Sequence, residues 1–562
     1  MDEVQDVDDR VLVPAPLARG RSGAVVAPHH LATAAGLGIL QAGGSAVDAA
    51  VATNAVLAVV MPNACGIGGD AFWLIWDEAS HRQTALNGSG RVPAAADATA
   101  LRQAGRRVLP LRGPLTITTP GAVRSWSEAH RRHGRLGRET LLAAAIELAR
   151  AGFPAWDGYI SSVETTAAYL AACEDLPDRG AAWASVHRPA GRPWRPGELV
   201  RQPALARTLE RLATSGFDDL YDGDLAAAQA DGLQAAGAPI TASDLGAQSA
   251  TWEEPIGVDY RGVRVTTHPP NSSGLVALEI LAMLARFEPP PPNAFGPAGV
   301  ADPAWIHLGI EASKLAMADR DEHLADPAMA DIPVELLLSA DHTAGMVSRI
   351  DPRRAAPAPP SLHPRGGGTV YLAVVDGAGN AVSLIESNYL GFGSGVLDPA
   401  TGIHYHDRGS YCSLLEGHPN ELAPGRRPLH TLMPGMLFRG GRPWVVAGSM
   451  GGDAQPQIHA QVVSDLVDGG LDIATSVAAP RWFVEPAEHF APPVEVRIEP
   501  RFPESLIGAL EGYGHPVTRV APFDSGLGHC HAIELVNGGP VDPEGSLAAA
   551  TDPRSAGLPA VH

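Results

Sequence analysis

The stretch RGGGTVYLAVVD, from Arg365 to Asp376, sets three glycines directly before a threonine that opens an alternating, β-branched run. Glycines without Cβ allow a strained backbone, and a strained peptide bond ahead of a rigid strand suits intramolecular cleavage. In that chemistry the Thr369 hydroxyl attacks the carbonyl of Gly368, the amide becomes an ester, and water releases a new N-terminus. The freed α-amine, with an ordinary pKa of about 7.7 to 8.0, then stands beside the hydroxyl as a general base. On spacing alone the plainer reading, a threonine that merely begins a strand, is preferred.

Other polar groupings carry weaker chemistry. His404 and His406 alternate in GIHYHDRGS with Asp407 beside them, a pattern that a strand would turn to one face as metal ligands, yet strand histidines are more often hydrogen-bonded or exposed. GIGGD from Gly66 lacks the lysine of a phosphate-binding loop and the spacing of a dinucleotide fingerprint. Gly451 and Gly452 follow the strand-like PWVVAGS and read, by themselves, as a turn. Cys65, Cys173, Cys412 and Cys530 are scattered, so neither a disulfide framework nor a structural zinc site is expected.

The elements that must position these residues follow from periodicity. Ala32 to Gln41 and Ser45 to Val60 have helical spacing, with Ser45 and Asp48 placed as a capping box. CGIGGDAFWLIWD ends in a strand, ALNGSGRVP reads as a loop, and Glu139 to Ala238 is largely helical. YRGVRVTTHPPNSSGLVALEILAMLARF gives strand, turn and helix, stopped by Pro289 to Pro292, and DPAWIHLGIEASKLAMADRDEHL gives an amphipathic helix. Residues 351–368, rich in Pro, Arg and Gly, read as a mobile linker. Beyond it TVYLAVVD, GNAVSLIES, GIHYHDRGS and PWVVAGSMGG are strand-like. The 562 residues, 45% hydrophobic and 18% charged, can form a large core. A formal charge of −21 argues against nucleic acid and anionic membranes as partners. The acidic start lacks a secretory signal, and the apolar run from Ser45 carries Asp48 and Asn54, so a cytoplasmic protein is expected.

Taken together, several stretches resemble the γ-glutamyltransferase family of N-terminal-nucleophile hydrolases. The resemblance runs from GAVVAPHHLATAAGLGILQAGGSAVDAAVATNAVLAVVMPNACGIGGDAF through PPNSSGLVALEIL, EASKLAMADRDEHLADP and GTVYLAVVDGAGNAVSLIESNYLGFGSGV to RRPLHTLMPGMLF, AGSMGGDAQPQ and ATDPRSAGLPAVH. It implies an α+β fold, the four-layer αββα sandwich of that superfamily, and self-cleavage into a large subunit, residues 1–368, and a small one, residues 369–562. The two would remain associated as a heterodimer, with higher oligomers left open. It implies Thr369 as nucleophile, with Ser387, where the family usually has threonine, bonded to it. Gly451 and Gly452 would be the backbone donors to the oxyanion. His430 and Thr431 would line the pocket where the family often has paired serines, and Asp453 would orient substrate or support the site from behind. The chemistry requires no metal and no cofactor.

The chain departs from the family at the substrate anchors. Aligning on Pro93-Ala94 and on Gly402-Ile403 puts Ser89 where an arginine holds the donor α-carboxylate and Tyr411 where an aspartate holds its α-amine. Arg91 and Arg408 are the nearby replacement cations. SNYLGFGSGV and GGDAQPQ resemble the glutaryl-cephalosporin acylase and oxamate amidohydrolase branches. The expectation is an amidohydrolase that cleaves a small carboxylate-bearing acyl group from an amide through an acyl-threonine. A true γ-glutamyltransferase or glutathione hydrolase, and an inactive family member that only binds, are the alternatives.

Overall fold

The computed structural model describes residues 15–357, 367–485 and 495–562. Its centre is two antiparallel seven-stranded sheets. In the first, the strands run Ala560–Val561, Gly23–Val26, Gly368–Asp376, Ala381–Tyr389, Asp70–Asp77, Arg82–Gly88 and Thr251–Glu253. In the second they run Leu17–Gly20, Ser546–Thr551, Cys530–Val536, Arg442–Ser449, Gly435–Arg439, Val263–Thr267 and Ile256–Tyr260. Each sheet therefore takes strands from both sides of the Gly368–Thr369 bond, which would hold two cleaved pieces together.

Strand alternation builds the layers. On the strand Gly368–Asp376, Val370, Leu372 and Val374 face a helical layer, where they join the core that contains Ala46–Val60. Tyr371, Ala373 and Val375 face the other way, against Met436, Val446, Ile533 and Leu547 of the second sheet. The outer face of that second sheet, through Val445, Ala447, Ala532 and Ala548, packs on helices Gly274–Leu284, Pro303–His323 and Gln455–Val467. Both faces of both sheets are thus apolar, and the order of layers is helix, sheet, sheet, helix, as expected. Among the described residues no helix is long and apolar enough to cross a membrane.

The sequence reading holds for most elements. Helices His30–Gln41 and Ala46–Val60 form, and the Ser45–Asp48 capping box is present in both directions; such a cap contributes about 1 kcal/mol. Three segments differ. Arg82–Gly88 is a strand that runs into the expected ALNG loop, because it is paired on both edges. GIHYHDRGS is not a strand: it makes only isolated bridges at His404 and Tyr405 and ends in a short 3-10 helix, Arg408–Tyr411. Helix Pro303–His323 is not amphipathic but buried on most of its circumference, since it lies between the Gly274–Leu284 helix and a small outlying sheet. Of the expected linker, residues 358–366 lie outside the described residues. The part before them is tethered, Ala355 N–H to Tyr513 O and Ala356 N–H to Glu311. All four cysteines are unpaired.

Candidate active site

Thr369 lies at one end of its strand, where the register with Ala381–Tyr389 shifts between Gly368 and Val370. Its Oγ1 donates to Ser387 Oγ at 3.0 Å. Ser387 in turn donates to the carbonyl oxygen of Gly368 at 2.6 Å and accepts from the Tyr389 N–H at 2.7 Å. One hydroxyl therefore takes a hydrogen bond from the candidate nucleophile while it polarises the carbonyl that nucleophile would attack. A serine hydroxyl has one donor and two acceptor sites, and these contacts use all three. Thr369 and Ser387 are each 1% exposed.

The glycine pair closes the site from the second sheet. Past the strand Arg442–Ser449 the chain enters Gly451 at φ 141° and Gly452 at φ 57°, backbone that disfavours any side chain. Gly367 presses on this turn: a Cβ there would stand 2.9 Å from Gly452 Cα and 3.0 Å from Gly452 N. Glycine is thus required at 367 because two stretches of backbone meet there. Asp453, next in the chain, pairs with Arg320 and accepts from the Tyr411 hydroxyl at 3.3 Å. Burial works to lower the Arg320 pKa, but Asp321 and Asp453 overcome it and raise it.

Arg408 is the cation nearest this constellation. It is 1% exposed, and its guanidinium lies 4.5 Å from the ring centre of Tyr389 and 5.2 Å from that of Tyr411. It donates to Thr431 Oγ1 at 3.2 Å, and its other terminal nitrogen stands 3.5 Å from Ser387 Oγ. Its Nε has no partner, and it forms no ion pair with a carboxylate among the described residues. Burial lowers its pKa, opposed by the tyrosines and by Asp70 and Asp407 from further off; an arginine starts so high that it stays charged.

The remaining expected residues divide. His430 and Thr431 sit deep, with His430 Nε2 3.2 Å from Asp70 Oδ2. Burial pushes the Asp70 carboxyl up to about 7, against Arg408 and the Gly90 N–H, and drives His430 well below the usual histidine range. Ser89 is buried but turned into an amide network, donating to Asn87 Oδ1 at 2.7 Å and accepting from Asn271 Nδ2 at 3.2 Å. Arg91 is not at the site: it binds Gly425 O at 2.9 Å and stands 3.6 Å from Asp326. His404 and His406 take separate partners, His187 at 2.7 Å and Thr118 O at 3.0 Å, so they do not converge on one ion.

Sequence reasoning missed three contributors. Tyr389 supplies the N–H to Ser387 and a face for Arg408; its positive φ of 74° has no sequence signal in a tyrosine. Asp70, the last residue of GIGGD, opens the strand Asp70–Asp77, and the motif's spacing matched no known binding fingerprint. Arg320 lies in ADRDEHLADP, and its lone basic charge between acids was the available signal.

Comparison with known proteins agrees with this architecture. The family model Gamma-glutamyltranspeptidase matches residues 32–561. The chain is 38% identical over 544 residues to the oxamate amidohydrolase proenzyme of Klebsiella pneumoniae, covering 96% of this chain and 98% of that one. It is 37% identical over 540 residues to the glutathione hydrolase-like YwrD proenzyme of Bacillus subtilis, again covering 96% and 98%. Among solved structures, a cephalosporin acylase from Bacillus halodurans superposes with a TM-score of 0.87 at 36% identity, covering 97% of each chain.

Proposed function

Starting from the fact that the chain belongs to the γ-glutamyltranspeptidase family of N-terminal-nucleophile hydrolases, we propose that it is a self-processing amidohydrolase whose nucleophile is Thr369 and whose substrate is a small acyl group bearing a carboxylate. For maturation, Thr369 Oγ1 attacks the Gly368 carbonyl carbon as its proton passes toward Ser387 Oγ, and the Ser387 hydroxyl stabilises the carbonyl oxygen as it gains charge. The proton then goes to the departing Thr369 nitrogen as the C–N bond breaks. Water hydrolyses the ester, leaving the Gly368 carboxylate and a free Thr369 α-amine. Residues 1–368 and 369–562 stay together as a heterodimer through their shared sheets.

In the mature enzyme that amine takes the hydroxyl proton, the hydroxyl attacks the substrate amide, and the leaving amine departs protonated. Gly451 and Gly452, freed of Gly367, supply backbone N–H groups to the oxyanion. The acyl-threonine is then hydrolysed by water that the same amine activates.

The observation that carries the substrate class is Arg408, a buried guanidinium with no carboxylate of its own among the described residues, one side-chain contact beyond Ser387. A desolvated cation without a counter-charge is costly unless a ligand provides one. The anchor lies two hydrogen-bond lengths from the Thr369 hydroxyl, which favours a short acyl group such as the oxalyl group of oxamate over the longer glutaryl chain. Asp453 is already held by Arg320, and Tyr411 caps it, so no free carboxylate is left there for an α-amine. This disfavours a true γ-glutamyltransferase. The complete Thr369–Ser387 relay disfavours an inactive binding protein. A cytoplasmic setting is kept, where four unpaired cysteines are stable.

The test is amine or ammonia release by processed enzyme from oxamate, glutaryl anilide and γ-glutamyl anilide. Oxamate and glutaryl anilide should be cleaved at least as well as γ-glutamyl anilide, with weak transfer to added dipeptide. A preference of about a hundredfold for the γ-glutamyl substrate, about 2.7 kcal/mol in transition-state binding, lost when its α-amine is removed, would overturn the reading.

A further inference from the structure

Away from the active site, the helical layer over the second sheet holds an acid with nothing to bind. Glu279 stands near the middle of GLVALEILAML, the apolar helix Gly274–Leu284, and is 3% exposed, yet among the described residues neither carboxylate oxygen has a hydrogen-bond partner. It faces the carboxylate of Asp319, from helix Pro303–His323. The third group is His342, from helix Ala340–Val347, whose Nε2 is 2.6 Å from Asp319 Oδ2. One oxygen from each acid and one imidazole nitrogen lie within 4.8 Å of one another.

Two carboxylates pressed together out of water require something positive between them. A shared proton is the minimal solution, and a cation is the other. A second grouping, His307, Glu311 and His515, shows what a cluster looks like when the protein supplies the answer itself. There Lys314 Nζ sits 2.6 Å from Glu311 Oε1, the Ala356 N–H donates to Oε2, and His307 Nε2 donates to Asp351 O. Among the described residues no lysine or arginine plays that part for Glu279: Arg320, beside Asp319 in sequence, points to Asp321 and Asp453. The His342 side chain, 25% exposed, leaves an approach from solvent.

We propose that Glu279, Asp319 and His342 form a structural site for one divalent transition ion, zinc or manganese, that ties three helices of the outer layer together. Two carboxylate oxygens and one imidazole nitrogen form a donor set suited to such ions, whereas magnesium and calcium prefer oxygen alone. Binding through Nε2 leaves the imidazole proton on Nδ1 and displaces any proton on Glu279 to solvent. The site is separate from catalysis, but it braces the helix whose next residue, Arg320, holds Asp453 beside the glycine pair.

The experiment uses the full processed protein, stripped with chelator, exchanged into chelator-free buffer and titrated with zinc chloride and, separately, manganese chloride. Bound metal is read by mass spectrometry after desalting, and stability by thermal unfolding. Wild type should retain one ion per chain and gain several degrees in Tm. Glu279→Gln and the milder, part-exposed His342→Gln should each lose that ion and the gain, while Glu311→Gln should keep both. Uptake by His342→Gln equal to wild type, or no stoichiometric uptake by wild type, overturns the site. In either case a shared proton between Glu279 and Asp319 is the remaining account, and Glu279→Gln should then raise Tm above wild type at alkaline pH.

Discussion

Replacing Arg408 with glutamine gives the sharpest test of substrate choice. Glutamine fills part of the space between Tyr389 and Tyr411 and keeps a donor for Thr431, but it removes the charge. A hydrogen bond to a charged group is worth about 1.5 to 3 kcal/mol, and a guanidinium offers a carboxylate two in parallel. Glutamine returns about one neutral bond. The net loss is therefore about 2 to 5 kcal/mol, or roughly 30- to 5,000-fold in kcat/KM. A matched substrate without the carboxylate, such as butyryl anilide beside glutaryl anilide, loses only packing and should change less than about tenfold. Arg408→Lys keeps the charge but not the fork and should fall between.

The assay is the ratio of kcat/KM for the carboxylate substrate to that for the neutral one, normalised to the cleaved fraction on a denaturing gel. Normalisation matters because Arg408 stands 3.5 Å from Ser387 Oγ. A ratio within about threefold of wild type in Arg408→Gln, some 0.65 kcal/mol, would show that the cation does not hold the acyl carboxylate.

Four further outcomes follow from the geometry and the electrostatics. Thr369→Ala should remain a single chain and Thr369→Ser should cleave, with Thr369 (or its replacement) at the start of the smaller band by N-terminal sequencing; cleavage of Thr369→Ala at the same bond would exclude this nucleophile. Ser387→Ala removes the donor to the Gly368 carbonyl and should slow maturation about 10²- to 10³-fold, the usual cost of one oxyanion donor, with Ser387→Thr restoring it in a time course of band appearance. Gly367→Ala, whose Cβ would collide with the Gly452 backbone, should slow cleavage but leave kcat/KM of whatever matures unchanged. Asp465 is buried beside Ser476, and burial raises its carboxyl to about 8. The folded state then holds a proton the unfolded chain releases near pH 4, so stability is full below that value and falls as pH rises through about 8. Asp465→Asn should remove a slope of up to ~1.4 kcal/mol per pH unit in unfolding free energies from urea titrations between about pH 5 and 8; an unchanged slope would place the shift elsewhere.

What the sequence disclosed depended on how local the cause was. The strand after Thr369 was readable because its alternation answers to two apolar layers at once, Val370 and Leu372 on one side, Tyr371 and Ala373 on the other. Ser45 and Asp48 were readable because a capping box closes within four residues. GIHYHDRGS misled for the opposite reason. Its alternating histidines look like a strand face, but burial there comes from distant partners, with His404 against His187 and His406 against Thr118, and no neighbouring strand pairs the segment. Helix Pro303–His323 misled similarly: Glu311, Lys314, Asp319 and Arg320 look like a solvent stripe, yet each is buried against a specific partner.

The site divides along the same line. Thr369, Ser387 and the glycine pair are fixed by backbone that must be strand or turn, so their types survive as pattern. Arg408 was visible only as an arginine near a lost anchor. What makes it the stronger of the two candidate cations is three-dimensional: Tyr389 and Tyr411 bury its faces, Thr431 orients one nitrogen, and among the described residues no carboxylate pairs with it directly. Arg91, nearer in sequence to the lost arginine position, is instead committed to Gly425 and Asp326. Proximity in the chain ranked the two alike, and the availability of an unspent charge separates them. In the proposed maturation, the Gly367–Gly368 segment that occupies the site is uncharged, which leaves the guanidinium available to the proposed substrate.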